Sequence, residues 1–283
     1  MTERSVAARL QRILLPTDGS EHTEGAVRVA IDAATKCASE LYAFTMVLSN
    51  PEVEAIAPQL VAKGEMRARQ ILDDVAARAK SAGLTIERLV RHGQDPANQI
   101  IGQAEKREID MIIMARRGTR GHARMNVGEA TIRVCGQAPC SVMVVPRDGT
   151  LPRNRILLAT DGSPNSEPAA AVAHRIAKLC GLPVTVVSIT MPGHNEERCA
   201  AAALAVERIR RSLSDAGIDA KGLTVQSPRP ETGIIVTAAA EGADLIVVGS
   251  HGRTGLLEKV LIGSVSERVL GDATCPVIVV RAR

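Results

Sequence analysis

The sequence predicts an α/β protein built from two tandem, doubly wound domains, each holding a five-stranded parallel sheet. Three observations predict it. The chain repeats itself: ILLPTDGS at 13–20 returns as ILLATDGS at 156–163, and APCSVMVV at 138–145 returns as ATCPVIVV at 273–280. Short apolar runs alternate with longer amphipathic stretches in both halves, the pattern of parallel strands joined by crossover helices. The 283 residues exceed one ordinary domain, and 45% hydrophobic against 23% charged residues is an ordinary globular balance.

In the first half the apolar runs fall at 12–17, 41–47, 85–91, 110–115 and 141–146. In the second they fall at 155–160, 183–189, 222–226, 244–249 and 276–281. They are rich in Val, Ile and Leu with little alternation, which predicts strands covered on both faces. Between them Ala169, Val172, Ala173, Ile176 and Cys180 share one face of a helix. Ser163 before Pro164 and Asp95 before Pro96 read as helix caps with Pro in the first helical position. The polar stretch RDGTLPRN (147–154) suits a linker, so domains are expected at 1–147 and 153–283.

Composition excludes several functions. With no Trp, one Tyr and one Phe, stacking on single-stranded nucleic acid has no platform, nor has an aromatic cage for cations. A net charge of +4 from 35 basic and 31 acidic residues predicts neither a nucleic-acid nor a membrane partner. No apolar run spans a bilayer, and residues 1–12 show no hydrophobic signal region, so a cytoplasmic location is expected. The six cysteines include no Cys-x-x-Cys pair; Cys140, Cys180 and Cys275 read as small core residues.

In open α/β sheets ligands bind beyond the C-terminal ends of the strands. The first strand of each half ends in Thr-Asp-Gly-Ser, at 17–20 and 160–163. The fourth strand of the second half runs into Gly249-Ser250-His251-Gly252-Arg253-Thr254-Gly255, and Gly263-Ser264-Val265-Ser266-Glu267 then opens a helix. Glycines allow close backbone approach to an anion, and the helix start supplies N–H donors, so this pair suits a phosphate cradle. The same residues also serve plainer ends: Ser264-x-x-Glu267 is a capping box, Asp161 a turn residue, His251 a loop residue. No P-loop, no Gly-x-Gly-x-x-Gly after the first strand and no nucleophile with a base partner is present, so no enzyme is expected.

These motifs, in this order and twice over, resemble the universal stress protein family in its tandem form, across roughly 12–146 and 154–281. Gly93-Gln94-Asp95-Pro96-Ala97 and the closing Cys275-Pro276-Val277-Ile278-Val279-Val280 add to the resemblance. The resemblance implies an adenine nucleotide alpha hydrolase-like sheet in the order 3-2-1-4-5. It implies a regulatory protein of the stress response that binds ATP, with Mg, in members carrying Gly-x-x-Gly, nine residues, then Gly-Ser or Gly-Thr. Carried onto this chain, the nucleotide contacts are Ala159, Thr160, Asp161, Ile189, Gly249 through Gly255, Gly263, Ser264, Val265 and Ser266.

Two departures matter. In the second half ten residues (253–262) part Gly252 from Gly263, one more than the pattern. In the first half the spacing from Gly118 to Gly128 fits, but Ala115 replaces the first glycine and Glu129 stands where the hydroxyl belongs. Glu129 suits a helix N-terminus yet repels a triphosphate, with Arg116, Arg117, Arg120 and Arg124 nearby in sequence. The expectation is one nucleotide site, in the second half. The alternatives are a nucleotide-free interaction protein with both sites vestigial, and a slow ATPase using Asp161 as a metal ligand. The family also implies pairing through the last strands, 141–146 with 276–281, as an internal pseudo-dimer, with a homodimer of two chains as a further arrangement that family members adopt.

Overall fold

The computed structural model describes residues 10–116, 127–252 and 262–281. The chain forms two compact units, divided chiefly between Leu151 and Pro152. The first contains strands β1 (Arg12–Pro16), β2 (Glu40–Leu48), β3 (Ile86–Gly93), β4 (Met111–Ala115) and β5 (Ser141–Val145). Its helices are α1 (Glu24–Cys37), α2 (Pro51–Ile56), α3 (Pro58–Ser81), α4 (Pro96–Lys106) and α5 (Glu129–Gln137). The strands are parallel in the order β3-β2-β1-β4-β5.

The second unit repeats the plan with β6 (Ile156–Ala159), β7 (Val184–Thr190), β8 (Ala220–Gln226), β9 (Leu245–Gly249) and β10 (Val277–Val280). Its helices are α6 (Glu167–Cys180), α7 (Glu196–Asp215), α8 (Pro230–Ala240) and α9 (Ser264–Asp272), and its order is β8-β7-β6-β9-β10, again parallel. The expected order 3-2-1-4-5 is therefore present in each half.

Burial follows from that order. Leu14 sits in register between Tyr42 and Ile112, and Leu157 between Thr185 and Ile246. Ile13, Leu14 and Leu15, like Ile156, Leu157 and Leu158, are completely buried, so the central strands carry unbroken aliphatic runs. The edge strands correct the expectation of cover on both faces. Most residues of β3 and β8 are exposed or half-buried, because polar side chains such as Glu87, Arg88 and His92 in β3 and Lys221, Thr224 and Gln226 in β8 stay in water.

Three local readings change as well. Asp95 does cap α4, accepting from the Asn98 backbone N–H at 3.1 Å. Ser163 does not cap: Pro164–Ser166 form a 3-10 turn, and the Ser163 hydroxyl goes to Asp161 instead. The capping box at Ser264 is also not formed, since Gly263 occupies the cap and Ser264 is the first helical residue. Cys140, Cys180 and Cys275 are half-buried rather than core; Cys135 is the buried thiol, and burial pushes its pKa far up.

Candidate functional site

In the second unit, the turn after β6 is held by its own short side chains. Thr160 accepts the Gly162 N–H at 3.1 Å and bonds the Ser166 hydroxyl at 2.9 Å. Asp161 Oδ1 accepts both the N–H and the hydroxyl of Ser163, at 3.0 and 2.6 Å. These bonds close the turn, and they leave Asp161 Oδ2 on the side of Gly252. A Cβ on Gly252 would stand 2.8 Å from that oxygen, so any other residue there would have to push the Asp161 carboxylate aside.

The end of β9 and the start of α9 meet this turn. Asn165 donates to the Gly252 carbonyl at 3.4 Å, and a Cβ on Gly249 would lie 3.2 Å from the Asn165 carbonyl. Ser266 donates its hydroxyl to the Gly249 carbonyl at 2.7 Å, and the Gly263 N–H donates to the Ser250 carbonyl at 2.8 Å. Ser250, itself buried, shares a hydrogen bond with His251 Nδ1 at 3.0 Å. The start of α9 is thus seated against Ser250. Ser264 and Val265, in the first turn, are exposed and half-buried respectively.

Of the predicted contacts, Thr160, Asp161, Gly249, Ser250, His251, Gly252, Gly263 and Ser266 form one bonded neighbourhood. Ser264 and Val265 border it in α9, and Ala159 leads into it as the last residue of β6. Ile189 lies near the end of β7, where its side chain packs against Gly233 of α8. Arg253, Thr254 and Gly255 lie outside the described residues. Sequence reading missed Asn165, whose amide joins the two loops, because an Asn in a turn carries no signal of its distant partner. Among the described residues no group of three His, Cys, Asp or Glu side chains is placed to hold a metal.

The first unit keeps the turn and differs around it among the described residues. Thr17 and Thr23 repeat the hydroxyl bond at 3.0 Å, and Ser20 N–H donates to Asp18 at 2.9 Å. Asp18 is exposed, however, and Ile71 of α3 presses on Gly19, 2.6 Å from where a Cβ would stand. Ala115 ends β4, Arg116 is buried with its N–H on the Val145 carbonyl, and Glu129 is exposed as the first residue of α5. Arg117, Gly118, Arg120 and Arg124 lie outside the described residues.

Comparison with known proteins agrees with this architecture. The sequence matches the model of the Universal stress protein family twice, at residues 9–146 and 152–281. A universal stress protein of Mycolicibacterium smegmatis is 30% identical over 219 residues, covering 71% of this chain and 70% of that one. One from Thermus aquaticus is 34% identical over 134 residues, 44% of this chain and 97% of its own. Among solved structures, a universal stress protein from Archaeoglobus fulgidus superimposes with a TM-score of 0.80 at 20% identity, covering 97% of this chain and 99% of that one. At that identity the likeness shows the fold alone.

Proposed function

The chain belongs to the universal stress protein family, and from that premise we propose that it is a regulatory protein of the stress response whose second half binds ATP. The observation that carries the reading is the approach of Gly252 to Asp161, with 2.8 Å between the carboxylate and any added Cβ. That contact sets a glycine loop beside a strand-end carboxylate and, through Gly263 and Ser266, beside the start of α9. Exposed N–H groups at a helix start, an accessible Ser264 hydroxyl and close backbone are what a polyphosphate needs. Mg, when bound, would offset phosphate charge and keep most of its own water. The residues fit a phosphate chain at α9 and a nucleoside toward Ile189.

In the first half Glu129 opens the corresponding helix, and a carboxylate there repels phosphate. One site per chain is the expectation. The test is to purify the protein without added nucleotide, release any bound ligand with acid, and quantify it by anion-exchange chromatography at 260 nm. A chain that comes empty is titrated with Mg-ATP. One equivalent supports the reading, two place a working site in each half, and none by either route removes ATP from the proposal.

A further inference from the structure

Pro96 opens α4 and Pro230 opens α8, so the next residues, Ala97 and Glu231, occupy the same place in the two halves. Ala97 is completely buried, and Glu231 is only 4% exposed. A carboxylate has therefore been set into a core position. Its Oε1 accepts from Arg268 of α9 at 3.1 Å, while Oε2 is buried with no hydrogen-bond partner among the described residues. An unmatched buried oxygen is costly and calls for an explanation.

The neighbours of Glu231 belong to the proposed site. Two residues on, a Cβ at Gly233 would lie 3.0 Å from Ile189 Cδ1, which places the start of α8 on the end of β7. Arg268 follows Ser264 and Ser266 on α9, the helix whose first turn holds Gly249. Glu231 thus sits on the helix start that meets the strand end expected at the nucleoside, and it is paired with the helix expected at the phosphates. Phosphates offer only acceptors and negative charge, so a carboxylate there can serve only a donor. The donors of a nucleotide are the ribose hydroxyls and the amino group of the base.

Resting on the ATP reading above, we infer that Glu231 reads the nucleoside: Oε2 accepts a hydrogen bond from a ribose hydroxyl or the base amine. Carboxylates hold ribose hydroxyls in the same way in dinucleotide-binding sheets. The reading sets a difference between the halves, since Ala97 has nothing to offer such a donor.

The test titrates the full chain with ATP, 2′-deoxy-ATP, 3′-deoxy-ATP and inosine triphosphate by calorimetry. The wild type is expected to bind at least one analogue roughly tenfold more weakly than ATP, which also tells hydroxyl from amine. In Glu231→Ala, which copies the residue the first half folds with, that gap closes to within about twofold. Arg268→Met cuts the tie between α8 and α9 and is expected to weaken all four ligands alike, preserving the gap. A gap unchanged in Glu231→Ala, or closed equally by Arg268→Met, overturns the inference and leaves the ATP site standing. A wild type that binds ATP with no gap does the same. A wild type that binds none of the four overturns both.

Discussion

The turn after β1 and the turn after β6 share the residues Thr-Asp-Gly-Ser and the bonds that close them. Gly19 N–H donates to Thr17, and Gly162 N–H donates to Thr160, at 3.2 and 3.1 Å. The side chains facing outward then diverge. Ser163 gives its hydroxyl to a half-buried Asp161, whereas the Ser20 hydroxyl is buried without a partner among the described residues and Asp18 is exposed. Ile71 lies on Gly19, and the matching residue of α7 is Ala205. The difference teaches that a repeat keeps what its turn needs to fold: the bonds that close the turn are the same in both halves, while the side chains packed around it differ.

The largest difference expected between the halves is in stability, at the start of α1. A Cβ on Gly25 would stand 2.1 Å from the Pro146 carbonyl and 2.7 Å from that of Arg147. Backbone on both sides cannot step aside, so Gly25→Ala should destabilise the first half by about 3 kcal/mol. The matching residue of α6 is Pro168, and Pro168→Ala should cost less than about 1 kcal/mol. Urea unfolding followed by circular dichroism measures both. Equal losses would mean that the two helix starts are packed alike.

Next comes nucleotide affinity. Gly263→Asp and Ser264→Glu each bring a carboxylate to the start of α9, as Glu129 already does for α5. Each should weaken Mg-ATP roughly 10- to 100-fold, while Gly128→Asp in the first half should leave it unchanged. A loss confined to Gly128→Asp would move the site to the first half.

How much of this was legible in the sequence depends on the range of the interaction. The repeat, the central strands and the order of elements could be read, because continuous Val, Ile and Leu runs and strand-end glycines are local signals. The exposure of β3 and β8 was not read, since their few apolar residues hid how many positions, Glu87, Arg88, Lys221 and Gln226 among them, would face water. Ser163 looked like a cap because Pro164 follows it; only the fold shows Asp161 taking its hydroxyl. The loop at Gly249 and Gly252 was readable, but its contact with Asp161 and Asn165 spans some 90 residues. Glu231 and Ile71 escaped notice altogether. Each lies in an ordinary helical pattern, and its meaning comes from a residue of another element.

A smaller contrast concerns acid. Asp95 caps α4, and its carboxyl is held below the usual range by the Asn98 N–H and then by Arg133 at 2.8 Å. Arg229 fills the same place before α8 and makes no side-chain cap. A carboxyl with a lowered folded pKa stabilises fully above its unfolded pKa, and that contribution is lost as pH falls through the folded value. Asp95→Ala should therefore cost about 1 kcal/mol at pH 7 and nothing at low pH. Unfolding curves across the acid range check this, and a penalty that persists below the folded pKa would assign it to packing.

The smallest expected effect tests the backbone alone. α1 and α6 both end on a residue in the left-handed region: Ala38 at φ 54° and ψ 45°, Gly181 at φ 67° and ψ 35°. Each donates its N–H back to the helix, to Ala34 and Ala177 respectively. The two ends are the same device with different residues. An L side chain is strained there and glycine is not, while no atom within 4 Å would meet a Cβ on Gly181. Sterics with neighbours are thus removed from the second case, leaving the backbone preference. Ala38→Gly should stabilise the first half by about 0.5–1 kcal/mol and Gly181→Ala destabilise the second by a similar amount. Opposite signs in thermal unfolding are the expected result. Both signs reversed would mean that the unfolded chain, which glycine loosens and alanine stiffens, outweighs the strain at the helix end, and shifts of the same sign would mean that the two ends are not the same device.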